Sequence, residues 1–270
     1  MMPDAVLVFD LETIPDLSAA RKLYGFDGLS DEEASLAWTN LRMQQGGNEF
    51  PRLPFHEIVC CSGLGWRDGK LSLFSFSQKT LAEADILRRF LGIFDQLSPT
   101  LVSWNGSGFD LPVLMYRAML HGVTAKGLLD QGESTPNRKY NNYLNRYHPL
   151  HTDLMDVLAM FSGGKGQKLD DMAVLMGCPG KQGISGYQVP QMVAEHRWEE
   201  IEQYCESDVL NTWLIYLRWL RLKGVLSPAD HASQIQLTRH LLQEHPVHSC
   251  SFLSQWEQAD SSIVITDLTI

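Results

Sequence analysis

The chain has 270 residues, 44% hydrophobic and 20% charged, which places it among ordinary globular proteins and excludes collagen-like, coiled-coil and disordered classes. A net charge of −10 argues against a broad basic surface that grips long duplex nucleic acid, but leaves room for an acidic site neutralised by metal ions. Cys60, Cys61, Cys178, Cys205 and Cys250 make an odd set with no C-x-x-C pair, so reduced thiols in a cytoplasmic protein are expected rather than a zinc ribbon or a disulfide framework.

In chain order, MMPDAVLVFDLETIPD has no basic n-region and does not read as a signal peptide. No stretch of ~18 apolar residues is present, so no membrane span is expected. Ala5 to Leu11 reads as a buried strand. Residues 16–50 look like an insertion with an acidic helical patch around Asp31 to Leu41. His56 to Trp66 and Lys70 to Ser77 are strand candidates joined by Asp68-Gly69, a hairpin-turn signal. The apolar positions from Leu81 to Leu97 fall mainly on one helical face, with Thr80 expected as N-cap and Glu83 as its capping-box partner. Thr100 to Trp104 reads as a strand, Asn105 to Gly108 as a turn, and a helix starts near Asp110. A fifth strand is expected just before Asp153, a short helix over Leu169 to Met176, and a long helical region from Arg197 to Leu222. The expected fold class is therefore α/β, with a mixed five-stranded sheet and helices on both faces. The expected organisation is one domain over 1–270, with a core of about 5–225 and an appendage over 226–270.

Three features carry chemistry. In Phe9-Asp10-Leu11-Glu12-Thr13, alternation along a strand aims Asp10 and Glu12 the same way and Phe9 and Leu11 into packing. In Trp104-Asn105-Gly106-Ser107-Gly108-Phe109-Asp110, a strand and a Gly turn deliver an acid to a helix entrance. Tyr204 and Asp208 are four apart and share a helix face. Taken singly, these also fit a solvated strand end, a plain N-cap, and a surface Asp beside a half-buried Tyr. Carboxylates converging from three elements without His or Cys partners suit Mg²⁺ or Mn²⁺ bound through oxygen.

FDLET, WNGSGFDLPVL and YCESDV resemble, in order, the three exonuclease motifs of the tyrosine branch of the DnaQ-like, RNase H-like 3'-5' exonucleases. The resemblance is closest to the proofreading domain of family-B DNA polymerases and its stand-alone relatives, and runs from about Val6 to Arg218. It implies an RNase H-like fold and a metal-dependent phosphodiester hydrolase that releases nucleoside 5'-monophosphates from single-stranded 3' ends, DNA favoured over RNA. Catalytic residues would be Asp10, Glu12, Asp110, Tyr204 and Asp208. Asp10 would bridge two Mg²⁺ or Mn²⁺ ions, Glu12 and Asp208 would complete the site of the water-activating ion, and Asp110 would hold the second. Tyr204 would orient the water or the phosphate, since a phenol of pKa about 10 is a poor base at neutral pH.

Candidate substrate contacts are Leu11, Thr13, Asn105 and Phe109 beside those acids, and Asp153 as a residue that orients a ligand. Arg138, Lys139 and Arg146, interleaved with Tyr140 and Tyr143, pair cations with aromatic faces as single-strand binders do. A protein partner that supplies basic surface is left open. Two other readings compete: a haloacid-dehalogenase-like phosphatase with Asp10 as nucleophile and Lys168, Asp170 and Asp171 downstream, and a non-catalytic nucleic-acid-binding module or scaffold.

Overall fold

The computed structural model describes residues 2–47, 50–164, 166–180, 183–244 and 251–258. Five strands, β1 (Ala5–Pro15), β2 (His56–Arg67), β3 (Lys70–Ser77), β4 (Thr100–Ser103) and β5 (His151–Asp153), form one sheet in the order β3-β2-β1-β4-β5. β2 and β3 run antiparallel to their neighbours, and β4 and β5 run parallel to β1. The mixed sheet expected from the sequence is therefore present. Asp68 and Gly69 both take positive φ between β2 and β3, which suits the twist of a two-residue hairpin.

The helices are α1 (Leu17–Tyr24), α2 (Asp31–Gln44), α3 (Glu83–Leu97), α4 (Asp110–His121), α5 (Lys126–Leu129), α6 (Leu154–Leu158), α7 (Leu169–Leu175), α8 (Val189–Ala194), α9 (Trp198–Leu222) and α10 (Pro228–Glu244). They cover both faces of the sheet, and alternation along β1 sorts its side chains between them. Leu7, Phe9 and Leu11 pack with Phe90, Leu91 and Leu114 of α3 and α4. Val6 and Val8 pack on the other face with Trp213, Leu214 and Leu217 of α9. Asp10 and Glu12 share the parity of Val6 and Val8, so they project toward α9. The apolar segment from Thr212 to Leu217 is buried in this core. No described helix is long and apolar enough to cross a membrane.

The described residues after α9 pack on the core. Leu241 and Leu242 of α10, with Phe252 and Trp256, join the core around α9, and the Trp213 indole donates to Thr238 Oγ1 at 2.9 Å. Cys60, Cys61, Cys178 and Cys205 are buried and outside any disulfide, and Cys250 lies outside the described residues.

One capping expectation fails. α3 begins at Glu83 with Ala82 as N-cap and no side-chain cap, so Thr80 does not fill that role. Glu83 is used elsewhere. Its Oε1 accepts the Ile58 N–H at 2.8 Å and Arg117 Nε at 2.7 Å, and its Oε2 accepts a second Arg117 N–H at 2.5 Å. Arg117 also donates to Asp16 Oδ2 at 2.6 Å. Asp16 in turn caps α1 by accepting Ala19 N–H at 2.9 Å. This buried network ties the start of α1 to the sheet and α4. Removing Arg117 would take the guanidinium from two buried carboxylates, leaving Glu83 with His121 and Asp16 with only hydrogen bonds from Ser18 and Ala19, at a cost of about 3 kcal/mol.

Candidate active site

The site forms where β1 and α9 face each other. Ahead of the valines that pack on Trp213, β1 presents Asp10 and Glu12, and α9 presents Tyr204, Cys205 and Asp208. Glu12, Tyr204 and Asp208 are buried, and Asp10 is half-buried. Ligand atoms of Asp10, Glu12 and Cys205 lie within 4.8 Å of one another. The Cys205 thiol donates to the Asp10 main-chain oxygen at 3.4 Å, across 195 residues of sequence. Burial first, then the charges of Asp208, Glu12 and Asp10, push the Tyr204 phenol far above its ordinary range, so it stays protonated. Tyr204 therefore sits in the negative field of Asp208, Glu12 and Asp10.

Asp110 enters from the other side. It is the first residue of α4, delivered by the turn after β4. Asn105 in that turn takes φ +65° and Gly106 approaches Ser103 so closely that a Cβ on it would sit 2.3 Å from Ser103 Oγ. Only glycine fits there. The turn is clamped by Asp153, whose Oδ1 and Oδ2 accept the N–H groups of Asn105 and Ser107, each at 2.9 Å. Burial, then the Asp153 and Asp208 carboxylates, push the buried Asp110 carboxyl up to about 7, against hydrogen bonds from the backbone at Asp110 and Leu11. Those interactions join Asp110 both to β1 and to Asp208. Asp10 and Glu12 lie closest together, beside a Cys205 thiol that burial keeps protonated, and the charges of Asp110 and Asp208 act on the same neighbourhood, so the donors there are mainly carboxylates.

Such a donor set fits hard divalent cations. Carboxylates held this close repel one another unless cations sit among them.

A cavity of about 290 Å³ opens beside Glu12. Leu11, Thr13, His56 and Phe109 line its inner side. The Phe109 ring meets the His56 ring edge-on at 5.0 Å. The Thr13 hydroxyl donates to His56 Nδ1 at 2.9 Å, and His56 Nε2–H donates to the Pro51 carbonyl at 3.1 Å. His56 thus sets the position of both Thr13 and Phe109. No sequence signal marked it: a lone histidine at a strand start has no motif around it. Cys205 was likewise legible only as a neighbour of Tyr204.

Other candidates lie elsewhere. Tyr143, 1% exposed, packs against Phe94 and donates to the Pro99 carbonyl at 2.6 Å, and the buried Arg138 guanidinium stacks on its ring at 4.8 Å. Both belong to the interior, which corrects the expectation of a substrate-facing loop. Arg146 pairs with Asp156 and stacks near Tyr147 and Phe161. Tyr140, 74% exposed, and Lys139 form a surface pair. None of the residues described between 137 and 148 lines the cavity beside Glu12. Asp153 is occupied by the turn and by capping α6, so its carboxylate holds the turn that delivers Asp110.

Comparison with known proteins bears on the fold and the family. No curated protein matches the chain. Among solved structures, the chain is similar to the family B DNA polymerase of the hyperthermophilic archaeon Pyrobaculum calidifontis, with a TM-score of 0.50 and 17% identity. The likeness covers 96% of this chain and only 27% of the polymerase, so this chain spans about a quarter of that protein and the likeness speaks for the fold. The fold is the RNase H-like arrangement of a mixed five-stranded sheet between helices. A family model matches residues 48–256, well over half of the 270. The matched segment holds Asp110, Tyr204 and Asp208, while Asp10 and Glu12 stand ahead of it on the central strand. The family goes against the phosphatase alternative. The chain belongs to the family of predicted 3'-5' exonucleases related to the exonuclease domain of PolB.

Proposed function

We propose that the protein is a metal-dependent 3'-5' exonuclease that removes nucleoside 5'-monophosphates from single-stranded 3' ends, with DNA preferred over RNA. The observation that carries this reading is the meeting of Asp10 and Glu12 on β1 with Tyr204 and Asp208 on α9, next to a cavity that can receive a chain end.

Asp10, Glu12 and Asp208 would hold one Mg²⁺ or Mn²⁺ ion, and Asp10 and Asp110 a second. When bound, such ions neutralise the crowded carboxylates, lower the pKa of a water and offset charge on the departing oxygen. The protein's own part is placement. The Asn105–Gly108 turn fixes the reach of Asp110. Tyr204, held as a phenol, donates a hydrogen bond that orients the attacking water or a phosphate oxygen, and it cannot serve as the base. Leu11, Thr13 and Phe109 contact the terminal nucleotide, with His56 behind them.

The test is a digestion ladder. With Mn²⁺, 5'-labelled single-stranded DNA should shorten one nucleotide at a time from its 3' end, faster than RNA of the same sequence, and EDTA should stop it. Release of a labelled mononucleotide as the first product, or an intact strand in Mn²⁺, would count against the proposal.

A further inference from the structure

The cavity beside Glu12 has an outer side that the catalytic strand does not build. Thr39 and Arg42 of α2, with Phe50 and Pro51, form one part of it, and Gly186, Tyr187 and Pro190 form the other. α2 lies ahead of the segment matched by the family, while Phe50, Pro51, Gly186, Tyr187 and Pro190 lie within it. It is firmly seated. Ser30 and Glu33 make a capping box at the start of α2, and the buried Trp38 packs edge-on against Phe55 at 5.9 Å. The Arg42 guanidinium stacks over Trp38 at 4.8 Å.

The two parts of the wall meet through a pair of rings. Phe50 and Tyr187 stand 4.6 Å apart, centroid to centroid, at 48°. Phe50 is 44% exposed and Tyr187 66% exposed. An exposed ring pair joining segments 137 positions apart is not core packing, and it sits at the rim of the cavity that holds Glu12. The volume, about 290 Å³, is at the low end of the roughly 300–1,000 Å³ usual for small-ligand sites. It suits one nucleotide and not a base pair. Aromatic faces with a guanidinium match a nucleobase and its phosphate.

We propose that the Phe50–Tyr187 contact closes this cavity over a single unpaired 3'-terminal nucleotide and sets a size limit on the terminal base. This rests on the exonuclease reading of the adjacent acids. The pair acts on specificity, because neither ring touches the reacting atoms.

The experiment compares two single-stranded DNAs that differ only at the 3'-terminal thymidine, one plain and one with fluorescein linked to the base. Wild type should remove the bulky nucleotide at least about tenfold more slowly than the plain one, and Phe50→Ala or Tyr187→Ala should narrow that ratio to about threefold or less. A ratio near one in wild type, or a ratio unchanged in both variants, overturns the gate. If wild type releases nothing from either strand in Mn²⁺, the exonuclease reading fails. The gate is then decided by calorimetry with thymidine 5'-monophosphate and its fluorescein-linked form. Binding of only the plain form by wild type and of both by Tyr187→Ala supports it, and the same discrimination in both proteins overturns it.

Discussion

Asp153 reaches 48 residues back along the chain to accept the backbone N–H of Asn105 at 2.9 Å. Its second oxygen takes the Ser107 N–H, so one carboxylate holds the turn that aims Asp110. Asp153→Ala removes both acceptors and should cost about 1–3 kcal/mol of stability. Urea unfolding measures that loss, and a variant with unchanged stability would show that the turn holds without the clamp.

Gly106 is the tightest point of the same turn. Gly106→Ala would drive a methyl into Ser103, 2.3 Å away, and push the turn off its path. A shift of about 1 Å at Asp110 should reduce turnover roughly a hundredfold. The variant should remain folded by circular dichroism, and full activity would mean that Asp110 is not needed in its observed place.

His56 makes stability depend on pH. Burial, with the charges of Arg42 and Arg117, holds its imidazole below the ordinary histidine range, against the hydrogen bond to Pro51. The unfolded chain therefore takes up this proton before the folded one does. Stability should be full above pH about 6.5 and fall as the pH drops below it, until the folded-state pKa is passed. Urea midpoints between pH 5 and 8 should decline toward acid in wild type and decline less in His56→Gln. An equal slope in both would remove His56 as a source.

Tyr204 and Asp208 share a helix face but not a task. Tyr204→Phe deletes one orienting hydrogen bond and should slow hydrolysis about tenfold. Under the proposed mechanism Asp208→Asn removes a charge that would hold a cation, worth several kcal/mol or roughly a thousandfold and more. Single-turnover rates on 5'-labelled DNA check the ranking. An equal or larger loss in Tyr204→Phe would contradict a purely orienting phenol.

Much of this was legible before any coordinates. The parity of Asp10 and Glu12, the i,i+4 spacing of Tyr204 and Asp208, and the glycines before Asp110 are local patterns that survive folding. Local pattern misled where distant partners compete. Glu83 sits three places after Thr80, as a capping box requires, yet the buried Arg117 claims it. Arg138 and Tyr143 look like a nucleic-acid loop because cation and ring alternate there, but the Pro99 carbonyl draws Tyr143 into the interior and Arg138 follows its ring. The cavity wall was hidden for a different reason: Arg42, Phe50 and Tyr187 come from segments with no shared motif, and only the chain's path brings them together. Lys165 and Lys181, each in a Gly-rich stretch (GGKGQK and PGKQG), lie outside the described residues.

The central claim is that acids from β1, α4 and α9 together hold divalent cations. Electron paramagnetic resonance of free Mn²⁺, titrated against protein with a nucleoside 5'-monophosphate present, reads this directly. Two ions per chain should disappear from the free signal with wild type, and Asp10→Asn should abolish that binding while its unfolding midpoint stays close to wild type. A wild-type protein that leaves the free Mn²⁺ signal unchanged, or an Asp10→Asn variant that binds as well as wild type, would contradict it.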